Sequence, residues 1–200
     1  MRRTIAPFLT ALVVLSNALA ATAGGPPELD VLALDDFFLP SIASIPRGGT
    51  VVWTFADAER SHTVTDSSGM GLFDSGIVAP GGPSVSYRFT AAGTYPYTCT
   101  LHALEMNGRV QVPIGATPAT GLPGRAFRVR WATSRAADGF AYEVQIKRRK
   151  GPWSPWVSNV SAPKAEFVPR AAGTFEFRAR LVALSGGHSR WSEPDSIRVT

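Results

Sequence analysis

Tyr95-Pro96-Tyr97-Thr98-Cys99-Thr100-Leu101-His102-Ala103-Leu104-Glu105-Met106 holds the only cysteine of the chain, a histidine three residues later and a methionine four beyond that. A thiolate, an imidazole and a thioether are soft or borderline ligands, the set that suits a copper ion cycling between Cu(I) and Cu(II). They are poor ligands for magnesium or calcium. Along the same stretch the two-residue period of a strand puts Tyr95, Tyr97 and Cys99 on one face, so two phenol rings and the sulfur point together into a sandwich interior.

A blue-copper centre takes two histidines and one cysteine in a plane, with a weak axial methionine, so a second histidine has to come from elsewhere in the chain. His62 and His188 remain. His62 follows the strand Val51-Val52-Trp53-Thr54-Phe55 after a short loop and starts Ser61-His62-Thr63-Val64-Thr65, which reads as the beginning of a neighbouring strand. With Gly48-Gly49-Thr50-Val51-Val52-Trp53, the Phe73-Asp74-Ser75-Gly76 turn and Ala92-Gly93-Thr94-Tyr95, the chain from about Leu29 to Ile114 resembles the cupredoxin family, the plastocyanin, pseudoazurin and amicyanin group. The resemblance implies a Greek-key β-sandwich and one type 1 copper ion held by His62, Cys99 and His102, with Met106 axial. The ligand loop, Cys-x2-His-x3-Met, is one residue longer than the amicyanin-like loop and one shorter than the plastocyanin-like one. Thr63 stands where many relatives have asparagine, and its hydroxyl is placed to tie the two ligand loops together.

Glycine and proline are plentiful, 19 and 16 in 200 residues, and long helical periodicity is absent, so the chain reads as all-β with many turns. Its length allows two small cores once a leader is removed. Residues 1–23 read as that leader: Met1-Arg2-Arg3-Thr4, an apolar run from Ile5 through Ala20, and A-x-A cleavage sites at Ala18-Leu19-Ala20 and Ala21-Thr22-Ala23. The apolar run is short for a membrane span, so no stable span is expected after cleavage and the mature chain is expected in the periplasm or outside the cell. A lone cysteine in that setting is a free thiol, half of an intermolecular bridge, or ligated; a free thiol is a liability where the compartment is oxidising, and metal ligation accounts for Cys99 best.

Residues 28–115 form the expected copper-binding domain. Leu29 to Leu34 alternates as a half-buried strand, and Val85, Tyr87 and Phe89 form one face of another. From Ala116 the character shifts. Residues 24–115 carry nine acidic residues against four arginines, a net near −5, whereas residues 116–200 carry fourteen Lys and Arg against six acidic residues, a net near +8. That division supports two domains. Residues 116–124 read as a linker or an edge strand. In residues 125–200 the alternations Phe127-Val129-Trp131, Tyr142-Val144-Ile146, Phe175-Phe177-Ala179-Leu181 and Ile197-Val199 read as a second sandwich. Trp131, Ala141-Tyr142-Glu143-Val144, Gly173 to Arg180 and Ser189-Arg190-Trp191-Ser192-Glu193-Pro194 resemble a fibronectin type III domain, with Phe175 where many such modules have a corner tyrosine. The fold class expected is thus all-β, two sandwiches in tandem, cupredoxin-like and then fibronectin-like.

Several other residues invite functional readings. Met70 is a competing thioether, but its glycine-rich loop suits an exposed or capping side chain. His188 reads as a surface loop residue. Lys147-Arg148-Arg149-Lys150 has the charge to bind nucleic acid or anionic lipid, yet it precedes Gly151-Pro152 and suits a solvated strand end; no nucleic-acid partner is expected. Trp153, Trp156 and Trp191 suit either a carbohydrate-stacking surface or packing, and Asn159-Val160-Ser161 matches a glycosylation sequon. No arrangement for an enzyme stands out: there are no His-x-His pairs of an oxidase centre, and one cysteine is too few for a thiolate-bridged binuclear site. The expected function is a one-electron carrier that meets a redox partner protein through the exposed edge of His102, with Leu101, Ala103 and Leu104 around it. A periplasmic copper storage or delivery protein, or an adhesive or scaffolding protein with a vestigial copper domain, are the alternatives.

Overall fold

The computed structural model describes residues 25–57 and 59–200; the leader expected over residues 1–23 lies outside them. Every regular element among the described residues is a strand, and no helix there is long and apolar enough to cross a membrane. The first half supplies β1 (Glu28–Leu34), β2 (Phe37–Leu39), β3 (Ile42–Ser44), β4 (Gly49–Phe55), β5 (Thr65–Asp66), β6 (Val85–Phe89), β7 (Gly93–Thr98) and β8 (Asn107–Val112). They make two mixed sheets, ordered β2-β1-β4-β6 and β3-β8-β7-β5, in which β1 runs parallel to β4 and β3 parallel to β8.

Strand alternation builds the first core. Val51, Trp53 and Phe55 on β4 face inward, as do Tyr95 and Tyr97 on β7 and Val110 and Val112 on β8, and all are buried. The aromatic rings pack edge-on: Trp53 meets Tyr97 at 5.3 Å and Phe38 meets Tyr97 at 4.8 Å between centroids. Tyr95 Oη donates to the Ala91 carbonyl at 2.8 Å, which satisfies a buried hydroxyl at the β6–β7 corner. Between β1 and β2 the chain reverses in two residues, Asp35-Asp36, with Asp35 at φ 38°, the left-handed region that aspartate tolerates in tight hairpins.

The second half supplies β9 (Gly115–Thr117), β10 (Thr120–Gly121), β11 (Phe127–Arg130), β12 (Phe140–Arg148), β13 (Ser154–Val160), β14 (Lys164–Phe167), β15 (Gly173–Ala183) and β16 (Asp195–Val199). A three-stranded sheet, β14-β11-β9, lies over a five-stranded one, β10-β16-β15-β12-β13. Between them Phe127, Val129, Trp131, Val144, Phe177 and Ile197 are buried. The segment 116–124 therefore takes part in both sheets: Ala116 pairs with Val129 and Thr120 with Arg198.

The two sandwiches share a continuous boundary. Thr94 on β7 and Arg190, in the β15–β16 connection, exchange main-chain hydrogen bonds of 2.9 and 2.8 Å, and the Ala92 N–H donates to the Trp131 carbonyl at 2.6 Å. Ala183 of β15 is buried in the first core, while Ala91, Ala92 and Ile114 are buried in the second. Main-chain pairing and apolar packing thus join the halves, although their opposite charges alone would have allowed a looser contact.

Three local readings differ from the structure or are sharpened by it. Met70 is buried in the first core, because the β15–β16 connection closes over its loop: the His188 N–H donates to the Ser68 carbonyl at 3.3 Å, and a Cβ on Gly187 would meet the main chain of Gly69 at 2.5 Å. The run from His62 is an isolated bridge to Val78 before the two-residue β5, since the Phe73–Val78 loop fills its outer edge. Trp156 packs against Trp131 and Phe177, and the rings of Trp153 and Trp191 are covered by cations, Arg178 standing 4.3 Å from one and 4.9 Å from the other. Lys147 lies over Trp153 and Arg180 over Trp191 as well, so both rings are engaged in a ladder of cation–π contacts.

Candidate metal centre

At one end of the first sandwich, His62, Cys99 and His102 come together with their ligand atoms all within 4.8 Å of one another. Cys99 Sγ lies 3.8 Å from His62 Nδ1 and 3.6 Å from His102 Nδ1. An ion bonded to imidazole at about 2.0 Å and to thiolate at about 2.3 Å, lengths typical of zinc, would hold nitrogen and sulfur about 3.7 Å apart at a trigonal angle. Both sulfur–nitrogen separations match that spacing, so this donor set fits a bound ion. A pair of histidines and a cysteine is also the donor set that favours copper over the hard cations.

Each of these side chains is placed by a different device. Cys99 follows the last residue of β7, on the inward face shared with Tyr95 and Tyr97. The Ser75 hydroxyl accepts the Val64 N–H at 2.8 Å and fixes the segment that carries His62. Thr63 Oγ1 accepts the Thr100 N–H at 2.8 Å, so the two ligand-bearing segments are tied directly. The Thr63 N–H itself points at the sulfur, 3.3 Å from Cys99 Sγ. A donor there stabilises negative charge on a thiolate.

The loop from Cys99 to Met106 is closed by its own main chain. The Cys99 N–H donates to the Met106 carbonyl at 3.0 Å, the His102 N–H to the Cys99 carbonyl at 3.2 Å, and the Met106 N–H to the His102 carbonyl at 2.8 Å. These bonds fold the three-residue spacer back and return Met106 beside the start of the loop, with its side chain buried in the first core. His62 and Cys99 are sealed from solvent, whereas the His102 side chain keeps 24% of its surface exposed. Leu101 and Leu104 beside it are exposed, Leu104 almost completely at 99%.

One residue absent from the sequence reading also belongs to the centre. Asp57 Oδ2 accepts a hydrogen bond of 2.9 Å from His62 Nε2, and Asp57 Oδ1 accepts the N–H groups of Glu59 and Arg60 at 2.8 and 3.2 Å. The Glu59 N–H and the His62 side chain hold its carboxyl down to about 2, so it is an acceptor at neutral pH. On the outer side, Asp36 of the β1–β2 turn pairs with Arg60 at 2.7 Å and lies 3.9 Å from His102 Nε2. A sequence signal for Asp57 does exist, since a carboxylate five residues before a candidate ligand lies within reach if the loop folds back.

No family model matches the chain, and no curated protein matches it. Solved structures similar to part of it include a purple cupredoxin from Nitrosopumilus maritimus, 25% identical over 42% of this chain and 97% of that one, with a TM-score of 0.37. A reduced amicyanin mutant is 27% identical over 46% of this chain and 87% of its own, with a TM-score of 0.38. A mutant plastocyanin of fern is 20% identical over 42% of this chain and 99% of its own, with a TM-score of 0.36.

Proposed function

We propose that the chain is an exported mononuclear blue-copper protein that carries single electrons. The observation behind this reading is the pair of imidazole Nδ1 atoms standing 3.8 and 3.6 Å from one buried sulfur. His62, Cys99 and His102 would hold one copper ion, with Met106 as a weaker thioether donor, and the ion would supply a one-electron couple between Cu(II) and Cu(I).

The chain's own residues serve that role in three ways. The Thr63–Thr100 tie and the main-chain bonds across the Cys99–Met106 loop hold the ligands on a rigid sandwich, which limits the rearrangement that slows electron transfer. Burial of His62 and Cys99 excludes water from the sulfur. The exposed edge of His102, framed by Leu101 and Leu104, gives a redox partner protein a place to dock. On the same reading residues 28–115 are a cupredoxin-like domain and residues 125–200 a fibronectin type III-like module for docking, spacing or adhesion, and the protein works in the periplasm or outside the cell.

Voltammetry of the copper-loaded full chain tests carriage against storage and delivery. A carrier gives a fast, reversible one-electron wave and keeps its metal when a copper chelator is added. A slow or irreversible wave with ready loss of copper to the chelator would reject carriage.

A further inference from the structure

The hydrogen bond between Asp57 and His62 does more than close a loop. A neutral imidazole carries one proton, and the nitrogen that holds it cannot bind a metal; the partner of the other nitrogen decides which one that is. His62 has two different neighbours: Cys99 Sγ at 3.8 Å from Nδ1, and Asp57 Oδ2 at 2.9 Å from Nε2. An ionised carboxylate only accepts, so the proton belongs on Nε2 and the lone pair on Nδ1 faces the sulfur.

The carboxylate is itself held in place. Its second oxygen is engaged by the main-chain N–H groups of Glu59 and Arg60, and Asp57 is only 7% exposed. One oxygen is therefore tied to the loop and the other is aimed at the ring. His102 differs: the nearest carboxylate to its Nε2, Asp36, is 3.9 Å away and bonded to Arg60. Of the two imidazoles in the centre, only the buried one has a charged acceptor within hydrogen-bond distance.

Resting on the copper reading above, we infer that Asp57 is a positioning residue for the metal: it fixes His62 in the Nε2–H tautomer and, through that bond, makes the ring a stronger donor that favours Cu(II) over Cu(I). Carboxylates behind metal-bound histidines act in this way, and their loss typically weakens metal affinity about 10- to 100-fold. Cu(I) needs the extra donation less, so removal of Asp57 weakens Cu(II) binding more and raises the reduction potential. Each tenfold excess of the Cu(II) loss over the Cu(I) loss corresponds to about 59 mV for one electron.

The test uses the full chain in wild-type, Asp57→Asn and Asp57→Ala forms. Nitrogen-15 NMR of the metal-free wild-type protein is expected to show His62 protonated on Nε2; protonation on Nδ1 overturns the inference and needs no variant to fold. Copper-loaded samples are then compared by voltammetry and by chelator competition for Cu(II). Asp57→Asn keeps an acceptor oxygen without the charge, and is expected to raise the potential with a smaller affinity loss than Asp57→Ala, which is expected to lose Cu(II) affinity about 10- to 100-fold. A role confined to the 57–60 loop would lower thermal stability and leave the potential unmoved, and that result overturns the inference while the wild-type protein stays blue. A wild-type chain that takes up no copper rejects the copper reading itself, and this inference with it.

Discussion

Thr63 Oγ1 accepts the main-chain N–H of Thr100 at 2.8 Å, joining the residue after His62 to the residue after Cys99. The same oxygen accepts the Thr65 hydroxyl at 3.1 Å, and Thr63 is buried. Thr63→Val keeps the shape but leaves the Thr100 N–H without its partner, at a cost of about 1–3 kcal/mol. Denaturant unfolding of the metal-free protein checks this, and Thr63→Ser, which retains the oxygen, is expected to lose less. Equal losses would mean that packing of the γ-methyl carries the effect.

Gly93 sits where the two sandwiches meet. A Cβ there would stand 2.4 Å from Ser189 Oγ and 3.2 Å from the Tyr95 ring. Gly93→Ala is expected to force the β15–β16 connection away from β7, with a destabilisation of about 1–3 kcal/mol from overpacking. Amide hydrogen exchange locates the damage: the Thr94 and Arg190 amides, which bond to each other's carbonyls, are expected to lose protection together. Faster exchange at one without the other would contradict a shared boundary.

Burial pushes the Tyr97 phenol up to about 12. Among the described residues neither its hydroxyl nor the buried indole nitrogen of Trp53 has a partner at full hydrogen-bond geometry, and the indole N–H beside the phenol only moderates the rise. A phenol raised in the folded state contributes stability that is whole below its unfolded value, about 10, and that is lost as pH rises toward 12. Tyr97→Phe removes both the buried hydroxyl and that dependence. Stability is expected to be unchanged or higher at pH 7, and to fall less steeply than in the wild type between pH 10 and 12. Equal alkaline slopes in the two proteins would contradict the assignment.

Leu104 is 99% exposed beside His102 and supports nothing in the fold. Leu104→Lys is expected to leave stability within about 0.5 kcal/mol of the wild type. If the His102 edge is the docking surface, the same change slows electron self-exchange between copies, measured by NMR line broadening in mixtures of the two redox states, and leaves the visible spectrum intact. An unchanged exchange rate would place electron transfer elsewhere on the surface.

Much of this was legible in the chain because strands write their faces directly into sequence. The period-two runs of β4, β7 and β15 carry their own inward residues, and Cys99 shares the inward face of Tyr95 and Tyr97. The Cys-x2-His-x3-Met spacing anticipates a compact loop, which the Cys99–Met106 and His102–Met106 main-chain bonds produce. Contacts made between loops leave no period to read. Asp57 reaches His62 only because its loop turns on the Glu59 and Arg60 N–H groups, and Met70 is buried only because a connection from the other sandwich covers it. The pairing of Thr94 with Arg190 spans almost the length of a domain, and main-chain groups carry no residue signature.

The proposal that His62, Cys99 and His102 hold copper is tested most directly by adding Cu(II) to the purified metal-free protein and recording its visible absorption. One intense blue band is expected, saturating at one ion per chain and lost in Cys99→Ser. A wild-type protein that stays colourless, or a band that survives in Cys99→Ser, would contradict it.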